Sequence, residues 1–260
     1  MAHDAFAPAR LAGLALRNRL VKTATYEGMS PGGVPSDLLV GHHRDIARGG
    51  VGMTTVAYCA VSPDGRTFGD QLYVHDAAAA PLRKLTDAVH TEGAAASLQL
   101  GHCGNFSKNK DLSVRRPLGP SFSVNQYGIM AGMPFADGMS EHQIGETVNA
   151  FGDAARFARE CGFDAVELHL GHGYLLSQFL SPAVNKRKDR YGGSLENRMR
   201  FPVEVISRVR EVLGPEFPIL AKTNLRDGFR GGPEVAQPVG IAKGRKPEGG
   251  HCLVPPGGLT

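Results

Sequence analysis

Short, mostly apolar runs recur along the chain, each followed by a polar or glycine-bearing turn and then by a longer segment with helical spacing. The runs cover residues 20–24, 51–57, 95–100, 165–169 and 219–223. Each has the length of a strand, and each is too continuously apolar for an antiparallel sheet with one face in water. The pattern therefore predicts strands that are buried on both faces of a parallel sheet.

The segments between these runs show helical periodicity. One apolar stripe precedes Gly162, a helix stop signal, and consists of Ile144, Val148, Phe151, Ala155 and Ala158. A second helix is predicted to begin at Ser194, a good N-cap, with Glu196 in its first turn. Its predicted core face consists of Phe201, Val205, Val209 and Val212. Pro202 lies within that helix and should remove a backbone hydrogen bond or kink it.

The alternation of strands and helices indicates an α/β fold in which right-handed crossovers join parallel strands. Both a (β/α)8 barrel and a doubly wound sheet satisfy this pattern. We expect a single domain over residues 1–260. Prolines and glycines interrupt the rhythm in residues 233–260, which predicts an irregular tail with one short strand at 252–254. Five or six β/α units are too few to close an eight-stranded barrel.

Composition narrows the class of protein. The formal net charge is +4, from 29 Lys and Arg against 25 Asp and Glu, which is too mild to indicate a nucleic-acid partner. No apolar run approaches the roughly 20 residues of a spanning helix, and the first ten residues lack a secretory signal. We therefore expect a cytoplasmic protein without a membrane partner. The cysteines form no CxxC pair, so reduced, buried thiols are expected at Cys59, Cys103, Cys161 and Cys252.

The sharpest candidate site is the end of the fourth apolar run, where the sequence from residue 167 to 174 reads ELHLGHGY. His169 and His172 can aim two N–H donors at one carbonyl or nitro oxygen and stabilise negative charge there. Tyr174 can donate a proton on the same face. Two alternatives stay open from the spacing alone: a zinc site with Glu167 or an unseen residue as third ligand, and two histidines that only satisfy a turn.

Two further polar residues occupy predicted strands. Gln99 ends the third run, and an amide there is a good partner for the N–H and C=O edge of a heterocycle. Lys222 lies in the fifth run among apolar residues. If it points inward, its charge can stabilise an anionic ring; a Schiff-base lysine and a side chain that reaches the rim are the alternatives.

A long sequence motif indicates a resemblance to a known protein family. HGYLLSQFLSP (172–182) is followed by Asn185 and by DRYGGSLENR (189–198). This stretch closely resembles the old yellow enzyme family of FMN-dependent NADH:flavin oxidoreductases. Residues 18–21 resemble the family's entry to the first strand, and residues 99–102 its third-strand tip. The likeness extends from about Phe6 and weakens after Gly232.

The resemblance implies a (β/α)8 barrel with FMN across the carboxyl ends of the strands and NAD(P)H as reductant. Gln99 would hold the pyrimidine edge of the flavin, and Lys222 would face its N1 and C2 carbonyl region. His169 and His172 would bind the oxygen of an activated alkene, such as an enone, an enal or a nitroalkene. Tyr174 would supply the proton opposite the hydride from flavin N5.

The resemblance also implies flavin contacts on the first two strands. It places Thr23, Ala24, Thr25 and Tyr26 beside the isoalloxazine. Tyr58 would lie against the ring from the second strand. Tyr26 stands where many members have a Thr or Cys that tunes the flavin, so this chain departs from the family there. The expected partners are small molecules, NAD(P)H and the alkene, and a homo-oligomer is left open.

In this family the seventh and eighth strands supply a glycine-rich phosphate site, and no counterpart is visible after residue 232. We therefore expect an incomplete barrel of about five to six β/α units, with strands 7 and 8 missing. Three functional hypotheses follow. The first is an ene-reductase-type flavoprotein, the second is a non-catalytic remnant with weak or no FMN binding, and the third is a metal-dependent barrel enzyme that uses His169 and His172.

Overall fold

The computed structural model of this chain describes residues 4–224 and the backbone of residues 253–254. The strands are, in chain order, β1 (Ala9–Leu11), β2 (Leu14–Leu16), β3 (Val21–Lys22), β4 (Met53–Ala60), β5 (Ala95–Gly101), β6 (Leu118–Gly119), β7 (Ser123–Val124), β8 (Phe135–Gly138), β9 (Ala165–Leu170), β10 (Ile219–Thr223) and β11 (Leu253–Val254). The α-helices are α1 (Asp37–Arg48), α2 (Asp76–Thr91), α3 (Glu141–Glu160), α4 (Leu175–Leu180) and α5 (Leu195–Leu213).

Six of these strands form one parallel sheet, in the order β3, β4, β5, β9, β10, β11. The sheet therefore grows in one direction as the chain proceeds. A doubly wound sheet reverses its direction of growth at a switch point, whereas a (β/α) barrel adds each strand beside the previous one. The strand order selects the barrel alternative, and the described residues contribute six of its strands.

The predicted strands agree with the structure except at the first two. β3 is shorter than predicted, because only Val21 and Lys22 pair with β4 before the chain leaves the ladder at Thr23. β4 is longer than predicted and contains a register shift between Val56 and Cys59. Such an irregularity re-aims side chains, and Tyr58 packs in a small separate cluster with Ala24, Ala57 and Ala60.

Side chains alternate between the two faces of the sheet. On the outer face they pack against the helices in the main hydrophobic core, which includes Val56, Leu98 and Leu168. On the inner face, near the amino ends of the strands, a second cluster consists of Met53, Ala95, Ala165 and Leu220. We call these four residues the lower layer. The β1–β2 hairpin packs against it through Leu16, so the lower end of the barrel is closed by apolar contacts.

The two predicted helices are confirmed with one correction. Ser140 and Gln143 form a capping box at the start of α3, and the Ser194 hydroxyl caps α5 by accepting from the Asn197 N–H at 3.2 Å. The predicted stripe of α3 faces the core. In α5 the prediction of Val212 is wrong, because the stripe advances by four from Val209 and buries Leu213 instead. The helix continues through Pro202 at the cost of one hydrogen bond.

A segment without clear periodicity separates β5 from α3. It contains the three-stranded sheet β6–β8–β7 and a 3-10 helix, Gln126–Ala131. Several large apolar side chains of this segment are exposed, namely Phe122, Val124, Tyr127, Ile129, Met130 and Phe135. We call residues 118–139 the flap segment. The sequence patterns predicted none of its elements, because its strands are only two to four residues long.

The remaining predictions concern cysteines, the tail and membrane segments. Cys59, Cys103 and Cys161 are buried and free, as predicted, and Cys252 lies outside the described residues. The short strand predicted at 252–254 is confirmed as β11, whereas the rest of the predicted tail from 233 lies outside the described residues. Among the residues that the structure describes, no helix combines the length and apolarity needed to cross a bilayer.

Candidate active site

The parallel register brings the predicted strand residues together on the inner face. Gln99 of β5 lies opposite Glu167 of β9, and Lys222 of β10 lies opposite His169 of β9. All four side chains are buried. We call Gln99, Glu167, His169 and Lys222 the upper layer, since they lie closer to the carboxyl ends of the strands than the lower layer does. Ligands of parallel α/β barrels bind at this end.

Glu167 is the anion of the upper layer. Its Oε1 accepts a hydrogen bond of 2.7 Å from Nε2 of Gln99, which fixes the orientation of that amide. Burial raises the pKa of the Glu167 carboxyl, and the Gln99 hydrogen bond and the Lys222 charge offset part of the rise. The carboxylate is therefore engaged with Gln99, and the structure does not bring it to the two histidines as a third metal ligand.

Lys222 links the fifth barrel strand to the first. Its side chain is 6% exposed, so the alternative of a side chain that reaches the rim is wrong. The Nζ atom donates a hydrogen bond of 2.6 Å to the carbonyl oxygen of Ala24. Lys222 thus places a buried cation between Glu167 and the segment that follows β3. Thr23 and Thr25, which flank Ala24 in that segment, are exposed.

The turn after β9 has an unusual backbone. His172 adopts a φ of 55°, a left-handed conformation that few non-glycine residues take, and Gly173 follows with a φ of 71°. A Cβ on Gly173 would lie 2.5 Å from the ring of Phe106, so only glycine fits there. The His172 N–H donates to the side-chain oxygen of Asn224 at 3.0 Å. These contacts hold the imidazole of His172 over the strand end.

The two imidazoles meet nitrogen to nitrogen. Nε2 of His169 lies 3.2 Å from Nδ1 of His172. The N–H of Gly171 points at Nδ1 of His169 at 3.3 Å, so this nitrogen accepts and the proton of the neutral ring is on Nε2. Burial lowers the pKa of both histidines, with further lowering of the His169 value by His172 and of both by Lys222. Both rings are therefore neutral at pH 7.

Tyr174 completes the cluster from the N-cap position of α4. Its ring centroid lies 4.8 Å from that of His169 and 5.1 Å from that of Tyr58. The Tyr58 hydroxyl donates to the Gly65 carbonyl at 2.8 Å and is thereby occupied. Burial raises the pKa of the Tyr174 phenol, and Thr67 lowers it in part. Tyr174 therefore holds its proton at neutral pH and can donate it.

A cavity of about 410 Å³ opens beside these groups. Its lining includes Tyr26, Tyr58, Thr67, Phe68, Tyr127 and Tyr174. Its volume falls within the usual range for small-molecule sites. A larger groove of about 1040 Å³ lies between α3 and α5, but none of its lining residues comes from a strand end. The aromatic cavity, which we call the tyrosine pocket, is therefore the candidate substrate site.

Tyr26 lies at the exposed edge of the tyrosine pocket. Its side chain is 52% exposed, and its ring makes an edge contact with Phe68 at 5.2 Å between centroids. It lines the tyrosine pocket, together with Tyr58 and Tyr174. Asp70 and Glu27 raise the pKa of its phenol further, after burial. The flavin contacts assigned to Tyr26 and Tyr58 stay predictions.

Sequence reasoning missed a second charged cluster near the start of the barrel. Lys22 Nζ lies 2.5 Å from Oε1 of Glu27, and Nε2 of the buried His43 lies 3.3 Å from the same oxygen. Burial alone would raise the pKa of Glu27, but His43 and Lys22 bring it below its usual value. His42 also approaches, giving three metal-type ligands. Because Lys22 already neutralises the carboxylate, we interpret this cluster as an ion pair.

The missed role of Glu167 had a visible signal. Residues two apart on a strand share a face, so Glu167 and His169 had to point the same way from β9. A carboxylate on the inner face needs a partner, and Gln99 and Lys222 were the polar residues available on neighbouring strands. The Lys22–Glu27–His43 cluster had no such signal, because it joins a strand, the irregular segment after it and the helix α1.

Comparisons with known proteins agree with this geometry. The sequence pattern of the NADH:flavin oxidoreductase / NADH oxidase family matches residues 4–243. A 4,4'-dithiodibutanoate disulfide reductase from Rhodococcus erythropolis is 47% identical over 240 residues, which cover 92% of this chain and 58% of that protein. The chain thus spans little more than half the length of this relative.

Solved structures show the same architecture. A 2-naphthoyl-CoA reductase in complex with 2-naphthoyl-CoA superposes with a TM-score of 0.83 at 28% identity, over 92% of this chain and 38% of that one. The old yellow enzyme from Pichia sp. AKU4542 superposes with a TM-score of 0.82 at 29% identity, over 89% and 62%. The incomplete α/β barrel and the family resemblance are both confirmed: the chain belongs to the NADH:flavin oxidoreductase / NADH oxidase family, which includes the old yellow enzymes.

Proposed function

We propose that this protein is an FMN-dependent NAD(P)H oxidoreductase that reduces activated C=C bonds, such as those of enones, enals and nitroalkenes. The observation that carries the proposal is the convergence of two neutral imidazoles, 3.2 Å apart, with the protonated phenol of Tyr174 beside an aromatic pocket. Family membership supports the cofactor and the reductant.

The upper layer suits a flavin. Gln99 offers an amide, and Lys222 offers a buried cation, which together complement a ring edge made of an N–H group and carbonyl oxygens. At the same end of the sheet, the exposed residues Thr23 and Thr25 flank the buried Ala24. Bound FMN would supply the transfer of electrons from NAD(P)H to the substrate. The chain's own residues would bind, orient and protonate.

His169 and His172 would bind the substrate oxygen. An oxygen at roughly 2.9 Å from both nitrogens forms a nearly equilateral triangle on their 3.2 Å separation. Both nitrogens must then donate, so His172 takes the tautomer with its proton on Nδ1. The neutral rings and the Lys222 charge would stabilise the negative charge that develops on this oxygen as the double bond is reduced.

Tyr174 would deliver the proton. Alkene reduction adds one hydride, which carries both electrons, and one proton. The phenol is buried against His169 and lines the tyrosine pocket, so it reaches a substrate held by the histidine pair. Its raised pKa keeps the proton available at pH 7, and Thr67 would stabilise the phenolate between turnovers.

A second candidate reaction is disulfide reduction. The relative from Rhodococcus erythropolis, which is 47% identical, is named as a disulfide reductase. In that reaction two electrons break the S–S bond, and Tyr174 would protonate one leaving thiolate. The same pocket and proton donor would serve, whereas the histidine pair would have no carbonyl oxygen to bind. His169→Ala would therefore impair enone reduction far more than disulfide reduction.

One experiment separates these activities from a chain without flavin chemistry. Purified protein is incubated with FMN, freed of excess, and titrated anaerobically with NADPH and NADH while visible flavin absorbance is followed. The proposal expects bound flavin that bleaches with one of the two and recovers its colour when an enone is added. Recovery with a disulfide but not with an enone favours the second candidate. Protein that retains no flavin contradicts both and supports a non-catalytic remnant.

A further inference from the structure

A lysine lies at the mouth of the tyrosine pocket. The ammonium nitrogen of Lys108 lies 4.9 Å from the ring centroid of Tyr127 and 5.5 Å from that of Phe68. Both rings line the pocket. Aromatic faces attract a cation at such distances, so the two rings hold the ammonium group over the opening. The mechanism derived above does not use this residue.

The backbone fixes the position of Lys108 as well. Its N–H donates to the carbonyl oxygen of Thr67 at 2.7 Å, and Thr67 itself lines the pocket. The backbone of Lys108 is therefore tied to the segment that carries Phe68. Tyr127 belongs to the flap segment, whose 3-10 helix is Gln126–Ala131. The ammonium group thus contacts rings from two separate segments of the chain.

Lys108 lacks an acidic partner within the described part of the chain. Asp70 raises the pKa of Tyr26, which lines the pocket, and its carboxylate accepts from the Gly32 N–H at 3.1 Å. A cation that is held over a pocket and has no carboxylate neighbour can offer its charge to a ligand. An ammonium group presents a single point charge, which suits a monoanion such as a carboxylate.

We propose that Lys108 is a specificity residue that recognises a carboxylate on the substrate. The substrate class would be an electrophilic alkene, or a disulfide, whose apolar chain lies among the aromatic rings of the pocket and ends in a carboxylate at Lys108. This inference rests on the proposed function, because it assumes that the reacting group is held by His169 and His172.

The test uses a pair of ligands that differ only in charge. Phenols can mimic an enolate at the histidine pair, so the FMN-loaded chain is titrated with 3-(4-hydroxyphenyl)propanoate and with its methyl ester, and the two dissociation constants are compared. The wild-type chain should prefer the acid by about fivefold, the upper end of what an exposed ion pair supplies. Lys108→Gln should remove the preference, and Lys108→Arg should retain it.

Lys110→Gln is the matched control, because this lysine is also exposed and lies two residues away. It should leave the preference for the acid unchanged, and added salt should weaken that preference in the wild type but have no effect in Lys108→Gln. Thermal unfolding of each variant checks that it is folded.

Three results would overturn the proposal. The wild type could bind acid and ester equally, Lys108→Gln and Lys110→Gln could lower the preference equally, or neither ligand could bind. In each case NAD(P)H bleaching of the bound flavin decides the fate of the broader proposal: if the flavin still bleaches and an enone restores it, only the assignment to Lys108 fails. If no flavin is reduced, the proposed function fails as well.

Discussion

The two layers inside the barrel are built on the same strands and differ completely in chemistry. Ala165 and Glu167 are two residues apart on β9, and Leu220 and Lys222 are two residues apart on β10. The first of each pair packs in the apolar lower layer, and the second belongs to the charged upper layer. One pleat along the strand thus separates an apolar contact, which contributes to stability, from a polar residue to which our proposal assigns binding.

The difference shows that the two layers contribute differently to the free energy of folding. The lower layer contains no titratable group, and burying its side chains stabilises the fold by the hydrophobic effect alone. The upper layer buries a carboxylate, an ammonium group and an imidazole, each of which costs desolvation energy and needs a partner. Apolar residues at these positions would stabilise the barrel more than these polar residues do. We therefore expect lower-layer changes to affect folding and upper-layer changes to affect chemistry.

The largest expected effect is on catalysis. Tyr174→Phe should slow alkene reduction by about 10² to 10⁴-fold, the usual contribution of a positioned proton donor, and should leave flavin reduction by NAD(P)H nearly unchanged. Rapid mixing of each half-reaction separately measures both rates. Tyr73→Phe is a control, because Tyr73 stacks on His75 outside the tyrosine pocket. An equal loss in both half-reactions would show that Tyr174 is not the proton donor.

A substitution in the lower layer should lower stability and leave catalysis nearly unchanged. Met53 is fully buried, and Met53→Ala should reduce the free energy of unfolding by about 3 kcal/mol through lost burial and a residual cavity. Activity per folded, flavin-loaded molecule should stay within twofold of the wild type. Urea unfolding and active-site titration measure the two quantities, with Met53→Leu as the volume-conserving control. A loss of activity without a loss of stability would contradict the assignment of the lower layer to folding alone.

A smaller effect is expected from pH, through a histidine that follows β5. Burial lowers the pKa of His102 to about 4. The native state then binds this proton more weakly than the unfolded chain, so stability falls as pH drops below about 6.5. Between pH 7 and pH 5 the loss should be about 2 kcal/mol from this residue.

His102→Asn provides the check. The Nδ1 atom of His102 accepts from the Gly104 N–H at 3.0 Å, and an asparagine oxygen can take its place without titrating. Urea unfolding at pH 7 and pH 5 should give a smaller difference for the variant than for the wild type. His43, His169 and His172 have lowered pKa values of the same sign, so some acid sensitivity should persist. An unchanged pH dependence would contradict the role assigned to His102.

Much of the fold was predictable because it depends on local periodicity. The strand positions and the stripes of α3 and α5 follow from burial on one face or both, and the family motif supplied the barrel. The error at Val212 is one of phase, since neighbouring positions on a helix share the edge of a stripe. Within the site, the spacing of His169 and His172 sufficed to expect their convergence, because only one turn separates them.

What could not be predicted depends on contacts between distant segments. The Lys222 ammonium and the Ala24 carbonyl are 198 positions apart in the chain, and no local pattern records such a pair. The bridge from Lys108 to Phe68 and Tyr127 depends on the flap segment, whose short strands lack periodicity. Polar residues in loops acquire their partners only when the barrel assembles. The predicted flavin contacts therefore indicate where the site lies, at the carboxyl ends of the strands. The structure adds which groups the charged residues Lys222 and Lys108 contact there.

The central claim is that the upper layer binds FMN. Its most direct test is a titration of the purified chain with FMN in which the quenching of flavin fluorescence reports binding. The account predicts saturation at one equivalent for the wild type and for Lys222→Arg, and about tenfold weaker binding for Lys222→Met after correction for the folded fraction. This loss corresponds to about 1.4 kcal/mol, close to the lower bound of about 1.5 kcal/mol for a hydrogen bond to a charged group. Absence of saturable binding, or equal affinity in all three proteins, would contradict it.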